Sequence, residues 1–296
     1  MAVRNRFFII RNPRAGRYGR YIFDTTLEAL RASGADVESV STEGRRDGAL
    51  QAREAVQSAA FDAIVAAGVE RTIREVAAEL VGSAMPLGVI PTGTGNVFAR
   101  ELGYSFAPFA LARTLQAGPV ERISLGEVDG QPFLSLVGVG FDAAAVRHFE
   151  KVTPHFLGRA SFAYPVLRAL MGRPCKPLTV ETESGRYRAH WVIISRVKRY
   201  AGDLLLTPEA GLVKPGMYVI RFQGAGRMNR LRHLSALVTG LLPRDPRVSI
   251  EAAQHVTITG DPKSPVQVDG EFTGALPLEI GLHPERLSVI MPAQAN

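Results

Sequence analysis

Two short stretches carry residue types whose spacing could do chemistry. The first is Pro91-Thr92-Gly93-Thr94-Gly95-Asn96-Val97-Phe98-Ala99-Arg100, which follows an apolar run and leads into helical spacing. A Gly-rich turn between a strand and a helix aims backbone N–H groups at one point, an anion site suited to phosphate. Thr92, Thr94 and Asn96 add side-chain donors. An ordinary strand-to-helix turn is the plainer reading, and the density of Gly, Thr and Asn argues against it. The second stretch is Val268-Asp269-Gly270-Glu271, two carboxylates across a glycine. Acids this close can divide a task, one holding a cation and the other accepting a proton. The same residues read equally as an exposed Asp-Gly hairpin turn. Two further stretches follow apolar runs. In Asn12-Pro13-Arg14-Ala15-Gly16 the glycine lets backbone approach a ligand. In Gly138-Val139-Gly140-Phe141-Asp142 the aspartate suits a helix N-cap, a role compatible with touching substrate.

Other chemistries lack support. The six histidines show no metal-ligand spacing, and no nucleophile-elbow motif accompanies them. The single cysteine, Cys175, excludes an intrachain disulfide framework and a Cys-cluster zinc site.

The elements that must position these stretches change character along the chain. Over the first third, apolar runs at 7–10, 37–40, 63–66 and 87–90 alternate with helical spacing at 21–32, 48–58 and 73–80. That alternation predicts a parallel sheet covered on both faces, with ligands beyond the carboxyl ends of its strands. The loops at those ends are 12–16, 41–42, 68–72 and 91–96, so four polar or Gly-rich loops are expected on one rim. After about Pro119, strand-like runs dominate: 120–129, 133–139, 177–183, 187–195, 217–223, 247–251, 255–259, 265–269 and 286–291. Asp129-Gly130 and Ser184-Gly185 are turn signals between some of them. Helical insertions are expected at 157–171 and 229–241. The fold class is therefore α/β: an N-terminal α/β domain with a parallel sheet, residues 1–122, then a β-rich antiparallel domain, residues 123–283.

The 296 residues carry a net charge of +7, and five of the 35 basic residues are Lys. Genomic codon bias explains such a skew, as does an anionic partner: nucleotide phosphate, lipid surface or nucleic acid. Aromatic interleaving of the single-strand-binding kind is missing, so nucleic acid is not expected. With no signal-peptide pattern and no apolar stretch of bilayer length, a cytoplasmic protein is expected. Arg227, Arg230, Arg232 and His233 beside Leu231, Leu234 and Leu237 read as a basic amphipathic helix, hence peripheral membrane association.

Taken together, these loops resemble the diacylglycerol kinase catalytic family, which includes bacterial lipid kinases and is related to NAD kinases. Asn12-Pro13 with Gly16 looks like the family's opening Asn-Pro-x-x-Gly, and Thr42 like its nucleotide-contacting Thr. Pro91 to Arg100 is similar to Pro-x-Gly-Thr-x-Asn-Asp-Phe-Ala-Arg, with Val97 in place of Asp. Gly138 to Asp142 resembles Gly-x-Gly-Phe-Asp, and Gly158 to Tyr164 the start of a helix beside the lipid cleft. Val268 to Glu271 resembles the Asp-Gly-Glu element.

The resemblance implies an ATP- and Mg²⁺-dependent lipid kinase acting on diacylglycerol, ceramide or a similar lipid at a membrane surface. It implies a nucleotide domain and a β-sandwich lipid domain with the active site between them, and a chain end, 284–296, that returns to the first. The implied base is Glu271, helped by Asp269. Nucleotide would be bound by Asn12, Gly16, Thr42, Gly68, Glu70, Arg71, Thr72, Glu75, Gly93, Thr94, Gly95 and Asn96. Asp142 and Tyr164 would meet the lipid, and Asp269 or Glu70 would hold magnesium.

Two departures stand out. The hallmark Gly-Gly-Asp-Gly-Thr aligns with Gly68-Val69-Glu70-Arg71-Thr72. If positions 69 or 71 adopt positive φ, side chains there cost roughly 1–2 kcal/mol. A rearranged loop in which Arg71 meets phosphate is one expectation; a solvated Arg71 in a dead loop is the other. At Leu212 to Gly216 the family's acidic metal-binding turn is replaced by Val213-Lys214-Pro215-Gly216. A catalytically impaired lipid- or nucleotide-binding member of the same family is the alternative function, and an NAD-kinase-like enzyme a third. Oligomeric state is left open.

Overall fold

The computed structural model describes residues 3–13, 15–44, 46–152, 163–214 and 216–293. They form two compact units, 1–124 with 284–296, and 125–283.

Unit 1 alternates β1 (Arg6–Arg11), α1 (Arg17–Ala32), β2 (Asp36–Ser41), α2 (Asp47–Ser58), β3 (Ala63–Gly68), α3 (Glu70–Leu80) and β4 (Leu87–Pro91), then adds α4 (Val97–Glu101) and α5 (Pro108–Ala117). The strands are parallel in the order β2-β1-β3-β4. Every residue of β3 is buried, as expected of a parallel strand covered on both faces. In α3 the buried residues Ile73, Val76, Ala77 and Leu80 recur at helical spacing and form its inner stripe. α5 lies outside the expected elements; it opens on Pro108 at its first turn, where the missing N–H costs nothing, and buries Leu111, Ala112 and Leu115.

β5 (Val120–Val128) leads into unit 2. There follow β6 (Gln131–Phe133), β7 (Leu136–Val139), α6 (Phe141–Val152), α7 (Ala163–Met171), β8 (Leu178–Thr182), β9 (Gly185–Ala189), β10 (Trp191–Ser195), β11 (Arg199–Tyr200), β12 (Leu204–Leu205) and β13 (Met217–Phe222). Then come α8 (Arg227–Val238), β14 (Val248–Ala253), β15 (His255–Gly260), β16 (Val266–Val268) and β17 (Glu271–Phe272), and β18 (Leu278–Ile290) leads back to unit 1. One antiparallel sheet of unit 2 runs β14-β13-β10-β7-β16-β17. The other pairs β9, β8, β15 and the start of β18. Residues of both sheets, among them Val139, Ile194, Val219, Val180, Ile258 and Ile280, form the sandwich core. On the far face of the first sheet, Trp191, Ile193, Ile220 and Phe222 pack with Phe141 of α6, Ala169 of α7 and Leu237 of α8. Successive residues of β10 thus enter two different cores, which is why Trp191-Val192-Ile193-Ile194 is apolar without a break. Back in unit 1, Val289 of β18 lies beside Leu87 of β4, and Tyr104 Oη donates to the Ile290 carbonyl at 2.6 Å.

Three differences from the expected elements have local causes. The run at 187–195 is two strands, β9 and β10, broken at His190. The run at 133–139 is interrupted because the N–H groups of Leu134, Ser135 and Leu136 turn to the Asp269 carboxylate. The run at 286–291 is the tail of the longer β18. The expected helix at 157–171 is α7 from Ala163 onward; 157–162 lie outside the described residues. α8 ends at Val238, three residues short of the expected 229–241.

Candidate active site

In unit 1 the loops after the parallel strands do gather. Asn12, after β1, donates from Nδ2 to Thr72 Oγ1 on α3 at 3.1 Å, and both residues are buried. A Cβ on Gly19, in the first turn of α1, would lie 2.4 Å from the Thr92 carbonyl oxygen, so that turn sits directly on the loop after β4. Gly48 of α2 lies against both Thr42 and Glu75.

The 68–72 loop is tighter than the hallmark would make it. Val69 is extended, with φ −87° and ψ 171°, and α3 begins at Glu70. No residue from 68 to 72 has positive φ, so the strain foreseen for a side chain at 69 or 71 does not arise. Gly68 and Thr72, the two hallmark residues kept, touch each other: a Cβ at 68 would meet the Thr72 side chain at 2.7 Å. Arg71 Nε stands 3.9 Å from Glu75 Oε1, one turn along α3.

Several groups expected to meet phosphate are used inside the rim. Asn96, in the left-handed region at φ 48°, accepts the Gly93 N–H at Oδ1 (2.9 Å) and donates from Nδ2 to the Gly93 carbonyl (2.7 Å). It clamps its own loop. Glu70 Oε1 accepts the Val97 N–H at 2.5 Å, so a carboxylate of the chain occupies the start of α4. A Cβ on Gly93 would meet Val69 Cγ1 at 3.0 Å, which puts the Val69 side chain against the Gly-rich turn. The beginnings of α1 and α3 differ: their N-cap residues, Gly16 and Val69, supply no side-chain cap, and first-turn N–H groups there have no partner within the helix.

In unit 2, Asp269 and Gly270 have φ of 49° and 77°, and they join β16 to β17 as a two-residue type I′ turn. The hairpin reading of these residues is therefore correct in form, but the turn is not a solvated loop. Asp269 is buried, and its oxygens accept the N–H groups of Leu134 (2.8 Å), Ser135 (2.8 Å) and Leu136 (3.1 Å). With three backbone donors on it, the Asp269 carboxylate, one of the two acids expected at magnesium, also holds the turn in place. Glu70, the other acid expected at magnesium, carries the one backbone donor already described, the Val97 N–H. Among the described residues no group of three His, Cys, Asp or Glu is placed to hold a metal ion. Glu271, half-buried, opens β17 opposite Val268.

Asp142 lies in the first turn of α6 and is buried. Its Oδ2 accepts from Gln267 Nε2 at 3.0 Å, and burial pushes its carboxyl up to about 6. Gln267 was not singled out from the sequence. A glutamine between two valines in a strand buried throughout was the available signal, since a polar side chain there needs a partner. Tyr164, half exposed, lies on α7; the preceding 158–162 of its motif lie outside the described residues.

The basic helix is also corrected. Arg230 is buried and donates to the carbonyls of Ala169, Gly172 and Arg173 at the end of α7. His233 is buried between Asp245 and the Gln223 carbonyl. The large apolar residues that α8 leaves exposed are Met228, Leu231 and Val238, and those of α7 are Tyr164, Leu167 and Met171. At the loop where the family's metal turn is missing, the buried guanidinium of Arg196 donates to the carbonyls of Leu212 and Lys214, a cation supplied by the chain itself.

The chain thus joins a parallel α/β unit with its loops gathered at one rim to an antiparallel sandwich unit with an Asp-Gly-Glu turn. Residues 6–128 match the diacylglycerol kinase catalytic domain, and residues 135–291 match the YegS C-terminal NAD kinase beta sandwich-like domain. The chain belongs to the diacylglycerol kinase catalytic family. It is 26% identical over 294 residues to a diacylglycerol kinase of Bacillus subtilis, covering 97% of this chain and 96% of that one. It is 28% identical over 242 residues to a diacylglycerol kinase of Mycobacterium tuberculosis, covering 78% and 77%. An uncharacterized Synechocystis protein is 24% identical over 251 residues; the match covers 82% of this chain and 58% of that longer relative. A crystal structure of a diacylglycerol kinase from Bacillus anthracis superposes with a TM-score of 0.71 at 17% identity, covering 97% of both chains. Another structure from that organism reaches 0.80 at 18%, covering 98% of this chain and 99% of that one. Likeness at this identity establishes the fold.

Proposed function

We propose that this protein transfers the γ-phosphoryl group of ATP to the hydroxyl of a lipid such as diacylglycerol or ceramide. The observation that carries the reading is the 268–271 hairpin. Asp269 ties it to three backbone N–H groups, so Glu271 stands at a fixed strand start, as a base that takes a hydroxyl proton must. Phosphoryl transfer asks mostly for positioning and charge neutralisation. Unit 1 takes the nucleotide. Its phosphates are met at the beginnings of α1 and α3, with Arg71, Thr94 and Gly95 on the same rim. Unit 2 takes the lipid. Magnesium would be met by Asp269 or Glu70 together with the nucleotide phosphates, where it would neutralise phosphate charge.

Peripheral membrane association is part of the same reading. It rests on the exposed apolar residues of α7 and α8, with Arg168, Arg227 and Arg232 exposed beside them, and no longer on the basic run. No helix among the described residues is long and apolar enough to cross a membrane. Flotation with liposomes should show binding that rises with anionic lipid and falls with salt.

A second reading, a nucleotide- or lipid-binding member without turnover, is favoured by one observation. Glu70 and Val69 fill the Gly-rich turn from within. Phosphorylation of a lipid panel in mixed micelles with labelled ATP separates the two. Labelled product supports the kinase; its absence, together with a melting shift by ATP or ADP, supports the second reading. A shift by NAD alone would move the protein toward NAD kinase.

A further inference from the structure

The polar groups behind Glu271 form one continuous line through unit 2. Gln267 Oε1 accepts the Gly270 N–H at 2.8 Å. That bond fixes the amide orientation, so Nε2 faces away and donates to Asp142 Oδ2 at 3.0 Å. The line starts on α6, crosses β16 and ends at the peptide N–H that immediately precedes Glu271. Both Asp142 and Gln267 are buried, with 1% of each exposed, so neither can meet a lipid headgroup. Room for the carboxylate is made at Gly138, where a Cβ would fall 1.8 Å from Asp142 Oδ2. Any side chain there would evict it.

The arrangement is costly to keep. Burying a carboxylate costs free energy that the hydrogen bonds reaching Asp142 offset only in part, and burial accordingly raises its carboxyl. Tyr200 and Cys175, which also feel its charge, are both held in their neutral forms by burial. A group that the fold strains to hold, joined by a single relay to the residue before the base, points to a positioning role.

We propose that Asp142 and Gln267 are positioning residues that hold the Gly270 N–H, and through it the orientation of Glu271, for the transfer step. The Gly-x-Gly-Phe-Asp stretch then serves the Asp-Gly-Glu turn instead of the substrate. This role rests on the kinase reading for its consequence and on hydrogen bonding alone for its existence, so the two are tested separately.

Amide hydrogen exchange at Gly270 is measured in the full chain for the unmodified protein, Asp142→Ala, Asp142→Asn and Gln267→Met, with β10 amides as the control for intact folding. Asn keeps an oxygen to accept from Gln267; Ala and Met break the line. Exchange at Gly270 should rise roughly 10- to 100-fold in Asp142→Ala and Gln267→Met while β10 stays protected, and Asp142→Asn should restore most of the protection. Lipid phosphorylation should follow the same order, through kcat with KM for ATP and lipid nearly unchanged. Gly270 protection that survives both breaking variants overturns the relay. So does turnover unaffected by a Gly270 that has become unprotected, or a kcat that Asp142→Asn does not restore. If the unmodified protein phosphorylates no lipid, the kinase reading falls and the exchange measurements alone decide the relay.

Discussion

The turn at 267–271 and the loops at 68–72 and 93–97 use polar groups in opposite ways. In unit 2, Asp269, Gln267 and Asp142 are buried and bonded so that one acid, Glu271, is presented from a fixed strand. In unit 1, Asn96, Glu70 and Val69 satisfy or cover the groups that would otherwise receive phosphate. The first arrangement spends its buried polar groups on posing a residue; the second turns them on each other. The lesson is that departures from a hallmark do not weigh equally. Val69 and Arg71 look alarming in the alignment, yet the backbone accommodates both without a left-handed residue. The larger consequence comes from Glu70, whose carboxylate takes the first N–H of α4.

The contrast is broken most directly at Glu271. Glu271→Gln should lower turnover by roughly 10²–10⁴-fold and leave ATP affinity unchanged, measured by kinetics and calorimetry. Near-normal turnover would remove the distinction between a presenting turn and a covered loop.

Next in size is Asp142→Asn, read as stability against pH. The folded carboxyl titrates at about 6, above its ordinary 3.8, so the folded state binds the proton more tightly than the unfolded chain. Ionised Asp142 therefore opposes folding in full above pH 6, and that penalty fades as pH falls from about 6 to about 4. The Asn variant should be more stable than the parent at pH 8 by on the order of 3 kcal/mol, with no advantage near pH 4. Denaturant melts at the two pH values decide it; an equal difference at both would mean that Asp142 does not titrate as placed.

Glu70→Gln sharpens the other side of the comparison. Gln keeps an oxygen for the Val97 N–H and removes the negative charge. ATP should then bind about tenfold tighter, near 1.4 kcal/mol, in a titration without chelator. A magnesium-holding Glu70 would give the reverse. The smallest effect is expected at Arg71. Held toward Glu75 and partly solvated, it should lose about 0.5 kcal/mol of ATP affinity on change to Ala. A loss several times larger would restore the phosphate-pairing role that its charge suggested.

What was legible in the chain follows the range of the interactions. The elements of unit 1 read well because periodicity is local: β3 and α3 declare themselves within a dozen residues. The fold class and the Asp129-Gly130 and Ser184-Gly185 turns came from the same local logic. β10 merged with β9 in the reading because its two faces enter two apolar cores, leaving no alternation to mark its start. The site was legible as positions and illegible as roles. Asp142 finds Gln267 across 125 residues, and Val97 finds Glu70 across 27. A residue's chemistry names what it can do; only the partner that reaches it decides which. Arg230 and His233 illustrate the point: their types suggest a membrane face, but Arg230 caps α7 and His233 bonds Asp245.

The return of residues 284–296 to unit 1 bears on biosynthesis. Unit 2 is one unbroken stretch, so it can be complete while the ribosome is still adding the strand that unit 1 lacks. Until Val289 arrives beside Leu87, β4 has a bare edge, and Tyr104 waits for the Ile290 carbonyl. The segment made first thus finishes last, and the nascent chain carries an open parallel sheet through most of its synthesis. Such an edge is a template for wrong pairing until β18 covers it.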